Sequence, residues 1–355
     1  MTDWRSAEPH QPAHGGELLI VGDTNLLGGD LREGGLRHVA DRLAMADAVI
    51  GQMEGLVVAG AETGPDPLPY KPGWRHSGPA AALAYAEVFS AVSCASNVAY
   101  PPEGCVETAE RLAAAGLPFA GIGVDEASAR APAVLDLPVG RIGLLSYTSV
   151  FQPGLLPAGP TMPGCAVLRA RTGYSPSRRA LEMPGAPPEI HTWPDAAAIE
   201  TLATDIAALR PQVDVLIVSC HWGVSGAAGP VAYQAALAET AASAGADLVF
   251  GHHPHVIQGA ARVEGMPVFY SLGNFAFDNP RMVGRHLDGL MLRISLSERR
   301  ISSICVLPVR RDADNAVRIL APDDDDGHDI LATFAARSAD LGQAVVVTSE
   351  GVTLA

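Results

Sequence analysis

The sequence predicts an α/β fold. Short apolar runs of strand length, among them 18–21, 215–218 and 248–250, alternate with stretches of helical spacing such as 231–244. The residues with ligand chemistry fall directly after the apolar runs, where ligands gather in α/β sheets. A chain of 355 residues with 48% hydrophobic content has ample material for a core. We expect a flexible arm over 1–16 and one α/β domain over 17–355.

Taken in order, 1–16 has no apolar run and so no visible secretory signal. A buried strand over 17–22 delivers Asp23, Thr24 and Asn25 at its end. Leu36, Val39, Leu43 and Ala46 have helical spacing, which predicts a helix over 34–46. A strand over 48–50 leads to Gln52 and Glu54. The Pro/Gly-rich loop 62–79 carries Lys71 and Arg75, cations suited to an anionic substrate group, Arg75 in bidentate fashion. A helix over 80–90 and a strand over 91–95 lead to Asn97. A helix over 103–116 follows, then a strand over 119–123, a short helix over 125–130 and a hairpin over 134–150.

The stretch 152–194 is rich in Pro and Gly, carries two arginine pairs and is too long for a plain connector. It reads as an irregular insertion, either a lid or a surface elaboration. Asp195 is placed to cap a helix over 195–209. The run 213–220 is a buried strand ending at His221, and 231–244 is an amphipathic helix. The strand 248–250 then runs into Gly251, His252, His253, Pro254 and His255. Pro254 blocks helix formation there. Three histidines on a stiff loop after a buried strand point to metal binding. A strand over 266–275 ends in a Gly-Asn turn. Strands over 290–295 and 302–308, a solvated acidic turn at 323–326 and a helix over 330–341 complete the chain.

Net charge is −15 and the isoelectric point about 5.1, and Lys71 is the single lysine. With no basic patch, nucleic acid and anionic membrane surfaces are excluded as partners. Five scattered cysteines without a CxxC pair fit a reduced, cytoplasmic setting. No apolar run reaches the roughly 18 residues of a membrane span.

The segments GHHPHVIQ and YSLGNFAFD closely resemble the CapA-like family of poly-γ-glutamate (capsule) biosynthesis. That family lies within the calcineurin-like metallophosphatase superfamily. Weaker matches run from about residue 18 to 309: Gly22-Asp23, Glu54, Asn97 and His221-Trp222-Gly223. The resemblance implies the α/β/β/α sandwich of calcineurin-like phosphatases and two divalent metal ions sharing a carboxylate. By carry-over, Glu54, Asn97, His221 and His253 hold one ion; Asp23, Glu54 and His255 hold the other, with Asn25 as a further donor. Oxygen and nitrogen ligands suit Mn, Zn or Fe more than Ca or Mg. His252 has no strong counterpart and stands either behind the ligands or at the substrate.

The chain departs from the family at Asn25, Gln52 and Val98. Val98 replaces the histidine thought to protonate the leaving group, and Pro101-Pro102 stand near the usual Asp. The implied activity is metal-dependent hydrolysis of a phosphoester or of a glutamyl or peptide-type substrate. The alternative is non-hydrolytic proton transfer at a peptide α-carbon, an epimerisation, with Asp23, His286 and Asp278 as the acid–base candidates. A third class, a binding protein for an acidic polymer, runs against the negative net charge.

Overall fold

The computed structural model describes residues 15–27, 34–61, 74–152, 156–278 and 282–355. Lys71, the first 14 residues and positions 279–281 lie outside the described residues. Two sheets dominate. The first runs Val345–Thr348, Gly351–Leu354, Arg300–Arg311, Asp288–Ser297, Gly16–Asn25, Ala48–Met53, Ala91–Ser93, Phe119–Ala120, with Asn274–Phe277 beside Gly16–Asn25. The second runs Ala260–Val263, Met266–Phe269, Leu248–His252, Val215–His221, Gly140–Thr148, Ala133–Leu137.

The layering follows from the two-residue period of the strands. Leu18 and Ile20 point one way and meet Ile142, Leu144, Ile217 and Phe250 of the second sheet, forming the inter-sheet core. Leu19, Val21 and Val49 point the other way, against Leu43, Tyr85, Cys105 and Leu112 of the helical layer. On the far face of the second sheet, Leu145, Leu216, Val218 and Val249 pack on Leu202, Ile206, Leu237 and Ala241. These last four come from the helices Ala196–Leu209 and Ala232–Ala244. The result is the four-layer α/β/β/α sandwich.

Parallel pairing aligns the strand ends. Gly16–Asn25, Ala48–Met53 and Ala91–Ser93 run parallel in the first sheet. Gly140–Thr148, Val215–His221 and Leu248–His252 run parallel in the second, with His221 in register with His252. Two glycines allow the close approaches this needs. A Cβ on Gly22 would sit 2.2 Å from the carbonyl of Gly273, and one on Gly251 would sit 2.1 Å from that of Tyr270.

Three expectations need correction. The helix expected over 34–46 is a run of turns with helix only at Ala40–Ala44. The insertion 152–194 is not irregular throughout. It contains a hairpin, Ala170–Ser175 with Glu189–Pro194, bridged by the short helix Arg178–Glu182. The acidic run at 323–326 opens the helix Asp325–Ala339, where carboxylates complement the positive end of the helix dipole. Asp195 does precede a helix, but its side chain makes no cap bond and pairs with Arg171.

Candidate metal centre

The site forms where the strand ends of the two sheets meet. Glu54 directly follows Ala48–Met53, and both its backbone groups are held by the neighbouring strand end. Its N–H donates to the Thr24 carbonyl at 2.7 Å, and its carbonyl accepts from Asn25 Nδ2 at 2.8 Å. The Asn25 amide nitrogen is therefore committed to fixing Glu54, a role the sequence reading did not assign. Asp23 Oδ2 accepts the backbone N–H of His253 at 3.2 Å. That bond fastens the histidine loop of one sheet to the first strand of the other.

His253 and His255 both have left-handed backbone, φ 90° and 56°, on either side of Pro254. Such conformations are unfavourable outside glycine and persist where surrounding structure imposes them. Here the loop is held from several sides. Gly226 donates to the Pro254 carbonyl at 2.8 Å, and His286 Nδ1 lies 2.9 Å from the His255 carbonyl. Because a carbonyl only accepts, that nitrogen of His286 carries the proton.

Asp23, Glu54 and His255, all buried, offer ligand atoms within 4.8 Å of one another. The orientation of His255 can be deduced. Its Nδ1 is 2.9 Å from Asn274 Oδ1, while Asn274 Nδ2 donates to the His286 carbonyl at 2.9 Å. Asn274 thus presents oxygen to His255, so Nδ1 bears the proton and Nε2 the lone pair. Nε2 faces Glu54 Oε1 at 3.7 Å. Both Glu54 carboxylate oxygens are buried without a hydrogen-bond partner. A buried carboxylate in that state is costly unless a cation completes it. The residues present therefore fit a divalent ion, with an imidazole and two carboxylates as its donors.

Asn97, His221 and His253 form an adjoining group. His221 Nε2 is 3.1 Å from Asn97 Oδ1, and the rings of His221 and His253 are 4.9 Å apart. His253 and His255 are 5.8 Å apart, so the two groups are contiguous. A polar seam runs behind them across the sheets. Ser219 Oγ donates to Ser93 Oγ at 2.9 Å, Ser93 donates to Gln52 Oε1, and Gln52 Nε2 reaches the Ala95 carbonyl at 3.2 Å. Gln52, where the family has Asn, ties the strand before Glu54 to the segment before Asn97.

The remaining expected site residues fall differently. His252 is fully buried, edge-on to Phe250, with Nδ1 3.5 Å from Asp23 Oδ1. It stands behind the Asp23 carboxylate, a placement that fits support of the ligands rather than the substrate role. Burial, with some help from His255, pushes its pKa down to about 3, so it stays neutral. Asp278 is also structural in placement. Its oxygens accept from the Leu27 N–H at 3.0 Å and Asn315 Nδ2 at 2.9 Å, and burial raises its pKa. His286 is half-buried at the rim. Arg75 is exposed, next to the buried Trp74.

Val98 is fully buried with Trp74 and Phe277, and the Phe277 ring stands edge-on to His255 at 5.3 Å. An apolar wall thus lines this side of the cluster. His76 supports it from behind. Its Nδ1 accepts from the Leu56 N–H at 3.2 Å and from Trp74 Nε1 at 3.3 Å, and its Nε2 donates to the Tyr100 carbonyl at 2.7 Å. Burial lowers the His76 pKa to about 4.

Sequence reasoning missed Asn274, His76 and Arg311. Asn274 was legible in part, since an amide beside a ligand histidine is a common orienting partner. Arg311 carried no signal. It is 2% exposed and donates to the carbonyls of Phe277, Met282 and His286, anchoring the segment that carries His286.

A four-layer sandwich with carboxylates and histidines gathered at its strand ends is the architecture that the sequence resemblance implies. The sequence model described as "Bacterial capsule synthesis protein PGA_cap" matches residues 23–279, and the chain belongs to that family. It is 41% identical over 73 residues to the PGA biosynthesis protein CapA of Bacillus subtilis, covering 21% of this chain and 19% of CapA. It is 32% identical over 215 residues to the uncharacterized protein y4sH of Sinorhizobium fredii, covering 50% and 47%. The chain thus spans less than half the length of these curated relatives. A solved phosphatase from Mycoplasma pneumoniae aligns over 83% of this chain and 94% of its own at 10% identity and TM-score 0.46, too distant to carry chemistry across. Among the described residues, no helix is long and apolar enough to cross a membrane.

Proposed function

We propose that this protein is a metal-dependent enzyme acting on a glutamyl or other peptide-type substrate. The observation that carries the proposal is the buried Asp23–Glu54–His255 cluster with its unpartnered Glu54 oxygens. The name of the Bacillus subtilis relative, a PGA biosynthesis protein, supports the substrate class. Asp23, Glu54 and His255 would hold one ion; Asn97, His221 and His253, sharing Glu54, would hold a second. Bound there, a divalent ion supplies Lewis acidity toward a carbonyl or carboxylate and lowers the pKa of water to about 7.

This chain's own residues do the rest. Asn274 keeps the His255 lone pair aimed at the cluster, and the His253 N–H steadies Asp23. Hydrolysis of a glutamyl amide is the first reading. A second, proton transfer at the peptide α-carbon, is favoured by one observation: Val98, buried with Trp74 and Phe277, has no proton to offer a leaving group. An amine needs that proton to leave, whereas epimerisation expels nothing. In that reading Asp23 and His286 exchange the proton. The Asp278 oxygens are already engaged, so it ranks behind them.

Two measurements test the proposal. Elemental analysis should find Mn, Zn or Fe in the wild type and a loss in His253→Ala; equal content in both, or none in either, sinks metal dependence. Incubation with a glutamyl peptide in D₂O then separates the reactions. Cleavage without exchange supports hydrolysis, and deuterium at one α-carbon without cleavage supports epimerisation.

A further inference from the structure

The hairpin Ala170–Ser175 with Glu189–Pro194 joins the core only at its foot, at Ala170 and Pro194. The short helix Arg178–Glu182 between its strands buries no side chain. Among the described residues fourteen large hydrophobic side chains are exposed, and five of them lie here: Tyr174, Leu181, Met183, Ile190 and Trp193. Tyr174 and Ile190 are 70% and 66% exposed and stand directly opposite each other on one face. Trp193 lies along Gly173 on the other face, where it borders an open cleft of about 560 Å³ with Arg171 and Pro194. Apolar surface concentrated in this way marks a contact site.

The hairpin also has an open backbone edge. Among the described residues its sheet has two strands. The Asp195 N–H donates to the Arg169 carbonyl at 2.9 Å, which fixes the alternation of bonds along the pair. Arg171, Gly173 and Ser175 therefore bond inward to the partner strand, while Thr172 and Tyr174 turn N–H and C=O outward. Both residues are exposed. The partner strand lies against the helix Ala232–Ala244, where the Tyr233 N–H donates to Thr192 Oγ1 at 3.1 Å. The Tyr233 hydroxyl in turn accepts the Gly223 N–H at 2.6 Å, two residues beyond His221. One tyrosine thus bonds the foot of the hairpin to the loop that follows a proposed metal ligand.

We infer that Ala170–Ser175 is a docking strand for the peptide substrate, an extended segment of which adds to its free edge as a third strand. The inference rests on the peptide reading of the metal centre and gives that peptide a second contact, outside the reacting residue. Strand addition draws affinity from main-chain bonds and selects side chains at alternate positions. Beside Tyr174 and Ile190 the selected side chains are apolar. A two-stranded hairpin is marginal by itself, and a third strand stabilises it. Charge favours a peptide over a second copy of this chain. Each copy carries −15, and a net charge that far from zero holds copies apart. Pairing hairpin to hairpin would also bring together the exposed Arg178 and Arg179 of both. A short apolar peptide has both edges free and meets neither repulsion.

The test is selection of a random peptide library, displayed on phage, against the full chain, followed by calorimetry with the selected peptides made synthetically. These should carry apolar side chains at alternate positions. N-methylation of alternate amides should cost at least about tenfold in affinity in one phase and little in the other, because one edge of the added strand is bonded. Thr172→Pro removes an outward N–H and spares the bonds within the hairpin, and it should cost about tenfold. Tyr174→Ser should cost a similar factor. Leu83→Ser, at an exposed apolar position on the helix Ala81–Ala86 of the opposite outer layer, should bind as wild type. The N-methylated peptides leave the protein unaltered, so they decide the matter if Thr172→Pro disturbs the hairpin. The docking strand is overturned if no peptide is enriched, or if both methylation phases bind alike. It is equally overturned if Thr172→Pro and Tyr174→Ser both match Leu83→Ser, or if sedimentation shows a dimer that Thr172→Pro dissociates. Metal content is measured on the same preparations. A metal-free wild type that still binds through this edge would refute the proposed function and leave the docking strand standing.

Discussion

Replacing Glu54 by glutamine should change stability with a sign that depends on metal. The ligand oxygens of Asp23 and Glu54 lie within 4.8 Å of one another. Two full charges at that distance repel by about 3.5 kcal/mol at an effective dielectric of 20. An unpartnered buried amide in the variant costs about 1–3 kcal/mol. In chelator, Glu54→Gln should therefore be more stable than wild type by about 1.5 kcal/mol, or about 2 °C in Tm for a chain of this length. With manganese at a thousandfold excess over Kd, the wild type gains about 4 kcal/mol, near 5 °C. The variant keeps the fold but lacks the shared carboxylate, and should gain less than half of that. Thermal unfolding with chelator and with manganese, on both proteins, is the assay. A variant less stable than wild type in chelator would show that Glu54 is not a strained, uncompensated charge. Equal metal-induced rises would remove Glu54 from the ligand set.

Asn274→Leu should weaken metal binding about 10–100-fold with every proposed ligand still present, read by competition with a chelator; unchanged affinity would mean that His255 needs no orienting partner. His76 contributes to the pH dependence of folding. Its pKa falls from 6.5 to about 4 on folding, so its contribution is complete above pH 6.5 and is lost as pH drops from 6.5 through 4. Between pH 7 and 4 the wild type should lose roughly 3 kcal/mol more than His76→Gln in denaturant titrations, and parallel curves would contradict this. Turnover of unactivated phosphomonoesters should lie about 10²–10⁴-fold below that of nitrophenyl phosphate relative to a phosphatase with a general acid, and comparable ratios would mean that another group supplies the proton.

The strands and the ligand-bearing segments were legible because both rest on local rules. Buried runs such as 215–218 have one reading in an alternating pattern, and histidines after them fall at the sheet's ligand-binding edge. Legibility ended where a side chain's task depends on residues far away in sequence. His252 and His253 are adjacent, yet one is sealed behind Asp23 and the other joins His221, because the left-handed turn at His253 rotates the chain between them. The helix expected at 34–46 shows the same limit at the level of an element. Its spacing buries Leu36, Val39 and Leu43 as a helix would, but turns achieve that burial without a capped helix. Arg311 was invisible because three of its partners are backbone carbonyls, which every residue possesses.

Val98 changes more than one catalytic atom. It packs with Trp74 and Phe277, and Phe277 stands against His255. Trp74 in turn bonds His76, and His76 holds the amide of Leu56 two residues beyond Glu54. The apolar wall and the support of the ligand set are therefore one structure. A histidine at position 98 would bury a polar ring among aromatic side chains, at a cost in unmet hydrogen bonds and in packing. It would also press on the residues that place Glu54 and His255. Valine at this position is thus built into the packing around the site. In the epimerisation reading no leaving group needs a proton from position 98, and His286, tied to the His255 carbonyl, is one of the two groups proposed to move one.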